Sequence, residues 1–323
     1  MAAAGSTIGE LVPADLDALL RTHPLVLRRP VLGRRHGRHP SARAGVGLDF
    51  RDHRPYTPGD DPRQLDWRAV ARRDRLVLRQ TEAEDELTLV LALDAGANMD
   101  YGEGSSHKYR AARALLAALA WAAIRQGDRV GLAIAGDGGL DVSLLRPGAG
   151  PDRLDAIARV LGRTAPRGRA PLQRLPDAIA PRLPPRSLVV LATDWLDLAD
   201  DHADAEANDQ ALLQGLAQLR ARRHDVVVLQ VLHRDEREFP WHDQGVLRFV
   251  DPRQLRSDVE GAATAMRTAY LARLGEHLGA VARGCEHHGV LHQPVHSEAA
   301  LAPAFVSLLA RLGGQAAPLE ARP

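Results

Sequence analysis

Leu87-Thr88-Leu89-Val90-Leu91-Ala92-Leu93-Asp94 is the stretch that decides the fold. It is apolar at nearly every position and closes on an acid. A strand with one wet face alternates apolar and polar residues. A near-continuous apolar run is a strand covered on both faces, as in a parallel sheet. Residues 107–126 follow as an Ala/Leu-rich helix, with Ala112, Leu115, Leu116, Leu119 and Ala123 at helical spacing. Gly127 stands where a C′ glycine ends a helix. Residues 129–135 read as a second strand, and Asp137-Gly138-Gly139 as a hairpin turn into a third at 140–145. Short helices are expected at 152–161 and 172–179, and a strand at 188–193 (LVVLAT) that again runs into an acid, Asp194. A helix at 210–223, a strand at 225–232, a small strand at 246–250, a long helix at 263–287, a strand at 290–295 and a closing helix at 301–312 complete the pattern. Strands alternating with helices in this way predict a doubly wound, mostly parallel α/β sheet.

Composition sets the outer limits. The chain has 323 residues, 42 Lys+Arg against 41 Asp+Glu, 45% apolar and 26% charged residues, which excludes a disordered chain. Cys285 is the one cysteine, so neither a disulfide scaffold nor a thiolate zinc site is available. Lys108 is the one lysine among those 42 basic residues, an arginine bias typical of GC-rich coding. The longest apolar run, 114–124, is well short of the ~20 residues that span a membrane. The first residues show no charged segment followed by an apolar stretch, so a cytoplasmic location is expected.

The near-zero net charge conceals two patches. Arg28, Arg29, Arg34, Arg35, Arg38 and Arg43 form one, an irregular solvated arm that could hold nucleic acid or an acidic partner. It has no aromatic residue for base stacking. Asp197, Asp200, Asp201, Asp204, Glu206 and Asp209 form the other, read as an exposed acidic loop leading into a helix. Ligands of open α/β sheets bind outside the carboxyl ends of the strands. Asp94 and Asp194, at two such ends, are therefore the first candidate site. Adjacent carboxylates suit a hard cation such as Mg²⁺, and they equally serve as caps for the turns that follow.

The stretch Arg54-Pro55-Tyr56-Thr57-Pro58-Gly59-Asp60-Asp61-Pro62-Arg63-Gln64-Leu65-Asp66-Trp67 closely resembles the signature of the domain-of-unknown-function-58 family. The Asp-tipped strand, the Lys-headed helix, Gly127-Asp128-Arg129-Val130-Gly131-Leu132, His224-Asp225-Val226 and Glu238-Phe239-Pro240 follow in that family's order. The resemblance covers residues 40–312. It implies a von Willebrand factor A-like domain at 86–315, preceded by an N-terminal extension at 1–85 and followed by a tail at 316–323. It also implies a non-enzymatic adaptor partnered with a MoxR-type AAA+ ATPase. Many members carry N-terminal membrane helices, which this sequence does not show.

The metal motif implied by the resemblance, Asp-x-Ser-x-Ser, reads Asp94-Ala95-Gly96-Ala97-Asn98 here. The threonine of a second loop falls among Arg169-Ala170-Pro171-Leu172, where there is no hydroxyl. Asp94, Asn98 and Asp194 remain, a degenerate metal-ion-dependent adhesion site expected to bind Mg²⁺ weakly or not at all. Asp94, Asn98, Asp194, Asp197, Asp200 and Asp201 are then the expected partner-binding face.

In the signature, Pro58-Gly59-Asp60-Asp61 reads as a turn. Asp61 is placed as N-cap, Pro62 at N1 and Gln64 at N3 of a helix over 62–71 that points Trp67 and Val70 inward. Asp66 stands among Arg63, Arg68, Arg72, Arg73, Arg75 and Arg79 as the centre of an ion-pair network. The functional alternative makes Arg54, Tyr56, Asp60, Asp61 and Asp66 a recognition or catalytic cluster, though adjacent acids in a turn diverge.

His288, His292 and His296 would share the face of a strand, but neighbours lie about 13 Å apart, too far for one ion. Cys285 beside His287 faces another direction on a helix. No nucleotide-binding or hydrolase motif is present. Three functions are therefore carried forward: an interaction module using the Asp94 and Asp194 face, a nucleic-acid binder using the arginine arm, and a metal-dependent hydrolase using Asp94 and Asp194.

Overall fold

The computed structural model describes residues 7–21, 36–57, 65–67, 69–70, 76–85, 87–136, 143–196, 202–241, 243–250 and 258–312. Its centre is a sheet of β3 (Thr88–Ala95), β4 (Arg129–Gly136), β5 (Ser143–Gly148), β6 (Leu188–Thr193), β7 (Asp225–Leu232) and β10 (Leu291–His296), in the order β10-β7-β6-β3-β4-β5. Every neighbouring pair is parallel except β4 with β5. In chain order of the six strands this is 6-5-4-1-2-3, the doubly wound arrangement whose direction reverses beside the first strand. The expected fold class is present.

Each face of the sheet has its own core. Leu89, Leu91 and Leu93 point to one side, where they meet α3 (Lys108–Arg125), α4 (Pro151–Arg163) and α9 (Leu301–Leu312). Val90 and Ala92 point to the other, against α5 (Leu175–Ile179), α6 (His202–Ala221) and α8 (Ala263–His287). The apolar run of β3 is thus accounted for by burial at every position. Helix α3 is buried on most of its circumference, hence its alanines: small side chains let it lie close to the sheet.

Two short helices, α1 (Ile8–Leu11) and α2 (Ala14–Leu20), add Leu11, Leu16 and Leu20 to the first of these cores. This part of the N-terminal extension at 1–85 therefore packs directly on the α/β domain that follows it. Residues 36–43 of the arginine arm, read from sequence as irregular, lie in β1 (His36–Pro55), which pairs antiparallel with β2 (Val77–Asp85). The small strand at 246–250 is β8 (Val246–Phe249), joined antiparallel to β9 (Val259–Ala262) away from the main sheet.

Helix α6 begins eight residues earlier than its apolar pattern suggests, so Asp204, Glu206 and Asp209 belong to a helix and not to a loop. Acids near a helix start complement its dipole. Asp197, Asp200 and Asp201 lie outside the described residues, as do residues 137–142 of the expected hairpin turn. Helix α7 (Arg234–Glu238) is one short turn after β7.

Candidate functional site

β3 and β6 are neighbours, with Leu93 opposite Ala192, so Asp94 and Asp194 emerge side by side at the reversal point of the sheet. That adjacency was expected. Their exposure was not: Asp94 is 4% and Asp194 2% accessible. Neither is an open acidic platform, because every carboxylate oxygen already meets an internal donor. Asp94 Oδ1 accepts from Gly96 N at 2.8 Å and Oδ2 from Thr193 Oγ1 at 2.7 Å. Asp194 Oδ1 accepts from Leu196 N at 3.0 Å and Oδ2 from Lys108 Nζ at 2.8 Å. Lys108, wholly buried, also reaches Glu236 Oε1 at 2.6 Å, and Glu236 Oε2 accepts from His233 N at 2.8 Å.

The electrostatics follow from this packing. Burial, and next the Asp194 charge, push Asp94 up to about 7 against the opposing bonds from Gly96 and Thr193 and the Lys108 charge. Burial works to lower Lys108, but Asp194 and Glu236 outweigh it and hold the ammonium above its ordinary range. Burial raises Glu236, with Lys108 opposing. Burial thus raises Asp94 and Glu236, while short charge-assisted contacts keep the Lys108 ammonium charged.

Three loops meet above the acids and are tied to one another. Ala97 N donates to Gly168 O at 3.0 Å and Arg167 N to Ala95 O at 2.9 Å. Asn98 Nδ2 donates to Leu196 O at 2.7 Å. Between them lies a recess of about 20 Å³ lined by Asp94, Gly96, Asn98, Ala170, Asp194 and Leu196, among others. It has room for about one water.

The donor set does not fit a divalent cation of the adhesion-site kind. Gly96 and Ala170 bring no hydroxyl, and the space for one has closed: a Cβ on Gly96 would stand 3.1 Å from Asp94 Oδ1 and 3.3 Å from Ala170 Cβ. The Asn98 amide nitrogen is committed to Leu196, and Asp194 is bound to an ammonium. Among the described residues no three His, Cys, Asp or Glu side chains gather so as to hold a metal ion. Asp94, Asn98 and Asp194, the side chains left of the degenerate site, therefore do not make a fitting shell for Mg²⁺.

A clamp that sequence reasoning missed holds the third loop. Trp195, fully buried, has φ +53, a strained value for a bulky residue. Its N donates to Thr193 Oγ1 at 2.8 Å and its Nε1 to Asp209 Oδ1 at 3.0 Å; His277 Nε2 lies 2.6 Å from its carbonyl oxygen. β6, α6 and α8 thereby fix the residue after Asp194. An indole directly after a strand-end acid was the available sequence signal.

The sequence model of the family described as "Protein of unknown function DUF58" matches residues 52–278. The chain belongs to the DUF58 family. "Uncharacterized protein Mb1516" of Mycobacterium bovis and "Uncharacterized protein Rv1480" of Mycobacterium tuberculosis are each 30% identical to it over 272 residues, 80% of this chain and 81% of theirs. A von Willebrand factor type A protein from Catenulispora acidiphila superimposes with TM-score 0.40 and 16% identity, covering 74% of this chain and 44% of its own. The PilB minor pilin from Streptococcus sanguinis gives 0.41 and 11%, covering 77% of this chain and 66% of its own.

Several DUF58 landmarks in this chain prove to be structural. Gly127, at φ +88, ends α3, and buried Asp128 Oδ1 accepts from Leu87 N at 3.0 Å, fixing the entry to β3. His224 Nδ1 accepts from Ser187 N at 3.2 Å at the corresponding ends of β6 and β7. Phe239, at φ +48, packs on Trp241, Phe249 and Tyr270.

Within the DUF58 signature, Gly59, Asp60, Asp61 and Arg63 lie outside the described residues, and of Arg54 only the backbone, in β1, is described. Tyr56 N donates to Leu76 O at 3.0 Å and Asp66 N to Val77 O at 3.0 Å, binding both ends of the signature to the start of β2. Asp66 caps a helical turn: its Oδ1 accepts from Ala69 N and its carbonyl from Val70 N. Helical phase counted from Asp66 puts Ala69 inward and leaves Trp67 62% exposed. The inward placing of Trp67 is thereby corrected. At the other end of the chain, His288 terminates α8 and so does not share a strand with His292, which bonds Gln230 Oε1 at 2.8 Å. Among the described residues, no helix is long and apolar enough to cross a membrane.

Proposed function

We propose that this protein is a non-enzymatic interaction module that docks a MoxR-type AAA+ ATPase with the loops at the C-terminal edge of its sheet. The reading rests on one observation above the rest. Three loops at the reversal point of the sheet are cross-tied by Ala97–Gly168, Arg167–Ala95 and Asn98–Leu196 bonds into one surface. A surface ordered before binding loses little entropy when a partner arrives. The acids beneath serve as its internal fastening. The identity of the ATPase partner comes from the family resemblance.

A hydrolase reading finds a carboxyl near neutrality in Asp94, which general acid–base chemistry requires. It also needs space for a substrate, and the recess holds about one water. Docking is the better use of this edge. The test is binding of the full chain to the purified cognate ATPase. Wild type should bind, and Ala170→Arg, which fills the rim of the recess, should weaken binding tenfold or more. Equal affinity for the two proteins, or absence of wild-type binding, refutes the proposal.

A further inference from the structure

Several observations converge on Lys108 Nζ. It lies 2.8 Å from Asp194 Oδ2 and 2.6 Å from Glu236 Oε1. The side chain is 0% exposed. The second oxygen of each carboxylate is occupied by a backbone N–H, from Leu196 and His233. Of the 42 Lys+Arg residues in the chain, the single lysine stands here. An ammonium is a compact charge with rotatable donors, whereas a guanidinium is a planar fork needing more room. The former suits a closed space in which two carboxylates converge on one nitrogen.

We propose that the Lys108 ammonium is the resident cation of this site. It permanently supplies the positive charge that a divalent ion would supply at a strand-end carboxylate pair. The protein consequently takes up neither Mg²⁺ nor Mn²⁺ there, and its loop surface is ordered without metal. A divalent ion would have to displace Lys108 before these carboxylates could bind it. Lys108 also links β6 to α7, across 86 residues to Asp194 and 128 to Glu236. The tethered ammonium thus acts as a cross-strut as well as a counter-charge. This inference stands apart from what docks on the surface, since its test involves no partner.

The test is calorimetric titration of the full chain with MgCl₂ and MnCl₂, with melting curves in each salt and in EDTA. Wild type should give no saturable heat and the same Tm in all three. Saturable binding that Asp194→Asn abolishes would overturn the proposal. Lys108→Ala leaves Asp94, Asp194 and Glu236 without their internal cation. Mn²⁺ should raise the Tm of that variant by about 3 °C or more, a gain lost when Asp194→Asn is added. A folded Lys108→Ala protein indifferent to Mn²⁺ would equally overturn it. Should the alanine variant fail to fold, Lys108→Gln keeps most of the volume and carries the same readout, and the wild-type titration decides independently.

Discussion

Thr193 Oγ1 donates to Asp94 Oδ2 at 2.7 Å and, through the same oxygen, accepts from Trp195 N at 2.8 Å. One hydroxyl therefore joins the first strand of the sheet to the fourth and sets the direction in which the chain leaves β6. Asp94 points inward because a donor on the neighbouring strand holds it there. The outward loops can then close over it.

Thr193→Val keeps the shape and removes the hydroxyl, leaving a buried carboxylate oxygen and the Trp195 N–H each short of a partner. An unsatisfied buried group costs about 1–3 kcal/mol. With two such groups, urea unfolding should show a loss of about 2 kcal/mol or more, with Thr193→Ser close to wild type. Equal stability of the valine variant would mean that the bond does not hold the strands.

Asp94 also imposes a pH dependence. Its folded pKa, about 7, stands above its unfolded value of 3.8. The folded state therefore binds the proton more tightly between those limits. The contribution of Asp94 is fully present below the unfolded value and is lost as pH rises through about 7. His224 and His292 act in the opposite direction, since burial lowers both: each favours the folded state less as pH falls through the histidine range. The difference between wild type and Asp94→Asn isolates the aspartate. Measured by urea unfolding, wild-type stability relative to Asp94→Asn should decline from pH 5 to pH 8. A flat difference would show that Asp94 is not raised.

Lys108→Met removes one partner of a buried ion pair and leaves Asp194 and Glu236 facing each other. Breaking such a pair costs about 3–5 kcal/mol. Lys108→Arg keeps the charge but overfills the space, for a cost of about 1–3 kcal/mol. The order wild type, arginine, methionine should appear in both urea midpoint and Tm. An arginine variant as stable as wild type would remove the steric reason for a lysine here.

The sequence was legible where a single element determines its own environment. The runs at 87–94, 188–193 and 225–232 read as strands covered on both faces, and each is one. The single lysine was equally plain, but its meaning was not. Glu236 is 128 residues away, and nothing local says that a one-turn helix after β7 returns it to Lys108. The start of α6 was obscured because a run of acids reads as a solvated loop, although the same acids suit a helix N-terminus. Trp67 was misplaced by a shift of phase. Taking Asp61 as the cap turns the indole inward, whereas the turn capped by Asp66 presents Ala69 to the interior. Burial of Asp94 and Asp194 depended on donors from Thr193 and Lys108, long-range partners that strand periodicity cannot reveal.

Cys285 provides a separate check on the second core. It sits on the inner side of α8 with no exposed surface, among the residues packed on Val226, Val228 and Val290. Burial pushes its thiol up to about 12. Only a thiolate attacks a disulfide reagent, so both access and ionisation oppose reaction. In the native protein at pH 8 a disulfide reagent should label Cys285 at least a hundredfold more slowly than in urea. The native rate should follow opening of the α8 face of the sheet, increasing in variants such as Leu216→Ala that loosen that core. Rapid stoichiometric labelling of the folded chain would show that α8 does not seal the second core as described.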